Sequence, residues 1–63
     1  MLNEMQIKDL ERKLNDLSED YTDSRNREVK ERCRGYCQGI GFVLAKIGYA
    51  IEWDNGKATI VED

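Results

Sequence analysis

Sixty-three residues, 40% apolar and 37% charged, suffice for one small folded domain spanning 1–63 and for no second core. The same balance excludes a disordered polar tail. It also excludes a membrane span, because the densest apolar stretch, residues 36–51, is broken by Gln38, Lys46, Gly39, Gly41 and Gly48. The net charge of −3 hides a segregation: residues 1–24 sum to −4, residues 25–34 to +3 and residues 49–63 to −3. No charged leader followed by an apolar run opens the chain, and two cysteines four apart on a helix meet disulfide geometry poorly. A reduced, cytoplasmic protein is expected.

The first predicted element is a helix over about 3–21. Asn3 is a good N-cap and Gln6, three residues on, completes a capping box, with Leu2 and Ile7 placed as a hydrophobic staple. Ile7, Leu10, Leu14, Leu17 and Tyr21 then repeat at alternating spacings of three and four, a coiled-coil-like seam. A stripe this narrow buries itself only against another helix. On the outer faces Glu4 with Lys8, Asp9 with Lys13 and Arg12 with Asp16 are favourable i,i+4 pairs, each worth about 0.2–0.5 kcal/mol.

A second helix is predicted over about 24–47. Continued past Tyr21, the first seam would fall on Glu28, Glu31, Gly35 and Gln38, which are polar or empty. The apolar seam resumes instead at Val29, Cys33, Tyr36, Ile40, Val43 and Ile47, five residues out of phase. Stutters and stammers shift the phase by four or three, so a turn is expected, with Asp23 or Ser24 as the new N-cap. Gly35, Gly39 and Gly41 each cost about 1 kcal/mol relative to alanine inside a helix. Their presence signals either close approach of another backbone over Gly35 and Gly39 or a kink near Gly39. Gly48 ends the helix as a left-handed C′ residue.

Residues 49–61 read as a β-hairpin about Asn55-Gly56, the pair that suits a two-residue type I′ turn. That turn pairs Trp53 with Ala58, Ile51 with Ile60 and Tyr49 with Glu62, and collects the apolar residues on one face. A three-residue loop would scatter them. The strand over 57–61 would be an edge open to strand addition. The fold class is therefore α+β, mainly α: an antiparallel helical hairpin followed by a two-stranded β-hairpin. The apolar surface late in helix two exceeds what one helix and one hairpin cover, which points to a homodimer. Ile40, Val43, Leu44, Ile47, Ile51 and Trp53 are the residues assigned to that interface.

Chemistry is sparse. There is no histidine, and Ser18 and Ser24 are the only serines, both near helix ends. No glycine pattern fits a nucleotide-binding loop. Neither catalysis nor a cofactor is expected; a non-enzymatic interaction or regulatory module with an unidentified protein partner is. The basic stretch with Arg25, Arg27, Lys30 and Arg34 makes a nucleic-acid-binding regulator the second reading. Cys33 and Cys37 make a thiolate metal or redox site the third.

Overall fold

The computed structural model describes residues 2–63. Helix α1 spans Glu4–Asp23, α2 spans Arg27–Lys46, and strands β1 (Tyr49–Asp54) and β2 (Lys57–Glu62) form one antiparallel pair. The two helices lie side by side as one layer, with α1 packed on β2 and α2 on β1.

Local chemistry explains each boundary. The Asn3 side chain accepts from the Gln6 N–H at 2.8 Å while Gln6 accepts from the Asn3 N–H at 2.9 Å, the reciprocal box that starts α1. Helix α1 runs two residues further than the seam requires, to Asp23, before Ser24 leaves helical geometry. The cap of α2 is Asn26, not Asp23 or Ser24: its carboxamide accepts from the Glu28 N–H at 2.8 Å. Ser24 orders the link instead, its hydroxyl accepting from the Asn26 N–H at 3.1 Å. Helix α2 passes through Gly35, Gly39 and Gly41 without a break and ends at Ile47, with Gly48 at φ +89°. Asn55 at φ +52° and Gly56 at φ +78° build the hairpin turn. The strand register is the predicted one: Trp53 with Ala58, Ile51 with Ile60, Tyr49 with Glu62.

The core is small. Leu14, Leu44, Tyr49, Ala58 and Ile60 form one buried cluster that draws on all four elements, and Leu17 and Cys33 are buried beyond it. Leu14 is fully enclosed. Tyr49 lies almost wholly inside, and its hydroxyl accepts from the Leu2 N–H at 3.3 Å, so the apolar ring is buried without stranding its polar end. The three ion pairs, Glu4 with Lys8, Asp9 with Arg12, and Arg27 with Glu31, each stay within one helix and are well exposed. They contribute little to stability. Asp9 takes Arg12 as its partner, and neither Lys13 nor Asp16 is paired among the described residues.

With one fully enclosed leucine at the centre, stability is concentrated there. Leu14→Ala should lower the unfolding free energy by about 3 kcal/mol or more, whereas Met5→Ala, on an exposed position, should change it by less than about 0.5 kcal/mol. Urea titration followed by circular dichroism checks both.

Candidate interaction surfaces

The two edges of the hairpin are treated very differently. Helix α1 carries Glu11, Asn15 and Ser18 beside its leucine seam, and all three bond to the main chain of the hairpin. Asn15 Oδ1 accepts from the Ala58 N–H and Glu11 Oε2 from the Ile60 N–H, both at 2.7 Å. Ser18 Oγ donates to the Gly56 carbonyl, also at 2.7 Å. The outward-facing donors of Ala58 and Ile60 are thus occupied, and the expected strand addition along 57–61 is blocked by the protein's own helix. Sequence reasoning missed these residues because Glu11, Asn15 and Ser18 look like an ordinary solvated flank. The available signal was their i, i+4, i+7 spacing next to Leu10, Leu14 and Leu17.

Strand β1 has no such guard. Ala58 and Ile60 turn their N–H groups away from β1, so the opposite residues, Trp53 and Ile51, turn theirs away from β2. Neither N–H has a protein acceptor among the described residues. Beside this edge an open cleft of about 380 Å³ runs between β1 and the Gln38, Gly41 and Ala45 side of α2. Ile51 is half-buried there, and Trp53 remains 46% exposed.

The face of the helix pair away from the sheet holds a second and larger feature, an open groove of about 760 Å³. Leu2 and Leu10 form one wall; Tyr36, Ile40, Val43 and Ile47 form the other. Gly35 and Gly39 also line it, with nothing within 4 Å of where a Cβ would sit, so another backbone could approach closely. Arg32 stands at the margin as its one charged residue.

The six residues assigned to a dimer interface therefore do not share one surface. Ile40, Val43 and Ile47 line the helix groove, while Ile51 and Trp53 line the β1 cleft. Leu44 reaches the floor of the groove but is 2% exposed and belongs to the core. Phe42, at 65% exposure the most open of the large apolar side chains on α2, is not among the residues assigned to the interface.

The basic stretch is partly used within the protomer. Lys30 places its ammonium 5.1 Å from the centroid of the Tyr21 ring, and Arg27 pairs with Glu31 at 3.5 Å. Arg25 lies exposed in the link between helices. Arg34 turns to another pocket, of about 260 Å³, shared with Tyr21, Trp53 and both cysteines. Arg27, Lys30 and Arg34, at i, i+3 and i+7, keep to one side of α2, while Arg25 stands apart from them in the link. Cys33 is buried and Cys37 half-buried, both as free thiols. Burial, followed by the neighbouring Cys33, pushes the Cys37 thiol pKa up. Among the described residues no three His, Cys, Asp or Glu side chains converge as a metal site, and no helix is long and apolar enough to cross a membrane.

No protein-family model, curated protein or solved structure matches this chain. Surface geometry therefore carries the functional reading.

Removing the Asn15 acceptor strands a partly buried N–H. Asn15→Ala should cost about 1–3 kcal/mol and speed amide exchange at Ala58 by at least about tenfold, read by denaturant titration and by hydrogen-exchange NMR. The raised Cys37 pKa has its own consequence. The folded chain holds that proton more tightly than the unfolded chain, a contribution present below the unfolded thiol's pKa and lost as pH rises through the folded one. Iodoacetamide should alkylate Cys37 more slowly in the folded protein than in urea, with the gap narrowing as pH rises, as followed by mass spectrometry.

Proposed function

We propose that this chain is a non-enzymatic protein-interaction module that acts as a homodimer. The observation that carries the reading is that α2 is apolar and uncovered on both flanks. Tyr36, Val43 and Ile47 lie open on the groove side, while Phe42 is open on the helix and Trp53 on the neighbouring strand. The exposed part of these five side chains is on the order of several hundred Å², divided between the two surfaces. No further segment of the described chain covers it.

Two separate surfaces suit a linking role: a second copy covers one and leaves the other for a partner. The helix groove has the form that receives an amphipathic helix, with apolar walls and bare glycines where a backbone approaches. Two free cysteines accord with a reducing, cytoplasmic setting.

Sedimentation equilibrium tests the dimer directly. At tens of micromolar the protein should sediment at twice the chain mass. A monomer mass persisting to about 1 mM would overturn the reading, since such weak association is worth no more than about 4 kcal/mol.

A further inference from the structure

We infer that the second copy joins face to face on the helix layer, closing an antiparallel four-helix bundle in which its α2 lies along α1. This rests on the homodimer reading and specifies its contact. Packed helices lie about 8–10 Å apart and paired strands about 4.8 Å, so α2 overhangs the edge of β1 and closes it to a second sheet. The face away from the sheet, which holds the groove, has no such obstruction.

The pattern of this face follows from the two inner seams. On α1, Glu11, Asn15 and Ser18 each follow a seam leucine and turn to β2. Asp9, Lys13 and Asp16 each precede one, about 100° around the helix in the other sense, and Gln6 and Asp20 extend their row. They form an exposed stripe turned away from the sheet, acidic but for Gln6 and Lys13. On α2, Arg32, Tyr36, Gly39 and Val43 precede the inward residues Cys33, Cys37, Ile40 and Leu44, and they line the groove. An acidic stripe and an apolar stripe headed by an arginine thus lie side by side. A two-fold axis parallel to the helices sets each stripe of one copy on the other stripe of the second.

Within the protomer Leu17 is level with Cys33 and Tyr21 with Lys30, and this axis keeps those levels. Arg32 of the second copy then falls midway between Asp16 and Asp20, about 3 Å along the helix from each. None of the three has an ion-pair partner among the described residues of the protomer, so the contact supplies one to each. Lys13 comes level with Tyr36 of the second copy, where its ammonium rests against the ring. Every neighbouring pair of helices is antiparallel, so their dipoles oppose. Turning the second copy end for end would lay α1 on α1 and aspartates on aspartates, which repel. Leu10, Tyr36, Ile40 and Val43 of both copies fill the centre where each groove was open. Two twenty-residue helices, each about 30 Å long and about 10 Å wide, present about 600 Å² on this face. Two copies therefore bury on the order of 1,200 Å², the size of a specific interface. The sheets lie outside the bundle, and the β1 cleft beside Trp53 stays open.

Charge reversal at these exposed positions tests the arrangement. Arg32→Glu sets a carboxylate between two aspartates at two symmetric places, and should weaken dimerisation about fivefold or more at low salt. Asp16→Lys combined with Asp20→Lys should weaken it by a similar factor. All three substitutions in one chain restore opposite charges across the contact, and should return dimerisation to within about twofold of wild type. Sedimentation velocity over a concentration series measures each, with circular dichroism to establish that every variant is folded. If wild type dimerises but either reversal alone changes nothing, or the triple variant is no better than the separate reversals, the bundle is overturned and self-association stands. Loss of the dimer in Trp53→Glu, with the Arg32 and aspartate variants unaffected, would place the contact in the β1 cleft. A monomeric wild type removes both proposals.

Discussion

A four-residue step along an α-helix covers about 6 Å, and two residues along a β-strand cover about 6.6 Å. This near match lets one helix face read every second residue of a neighbouring strand. Glu11 and Asn15 on α1 meet Ile60 and Ala58 on β2 in that way, and Ser18 continues the row to Gly56. The first third of the chain is thereby bonded to its last residues, with the register of the hairpin held against the helix. The leucine seam beside this row supplies burial, with Leu14 enclosed between α1, α2 and the sheet. Burial alone has no direction; the polar row supplies it.

That arrangement also decides which surfaces remain for binding. Once α1 has taken the edge of β2, the sheet has one edge left, and α2 lies over it with an apolar flank. On the far side the helices part enough to leave the groove walled by Tyr36, Val43 and Ile47. A protein this small has too little interior to enclose its apolar residues. Where they emerge follows from how the helix pair is seated, because the sheet covers one side of that pair only.

Charge plays a subordinate part in the protomer. The acidic residues of α1 make no ion pair with the basic start of α2 among the described residues, and each salt bridge is local to one helix. Lys30 instead rests over the ring of Tyr21, which places a cation on the end of the apolar seam. The segregated charge of the sequence therefore reaches the surface largely unpaired.

Much of the architecture was readable from local rules. The Asn3 and Gln6 box, the phase break after Tyr21, the left-handed Gly48 and the Asn55-Gly56 turn each depend on a few adjacent residues, and the hairpin register follows from alternation alone. The cap of α2 slipped to Asn26 because Asp23, Ser24 and Asn26 are all competent caps, and only the seating of the helices chooses among them. The functional surfaces were less legible. Leu44 and Val43 are adjacent and similarly apolar, yet one is core and the other open, a difference set by the direction from which α1 and the sheet approach α2. Glu11, Asn15 and Ser18 carry only their spacing beside the leucine seam as a signal until β2 is laid beside them. Sequence determined the elements and their turns, because those arise from neighbours along the chain. Tertiary structure alone decided which strand edge is closed, because that depends on a helix and a strand more than forty residues apart.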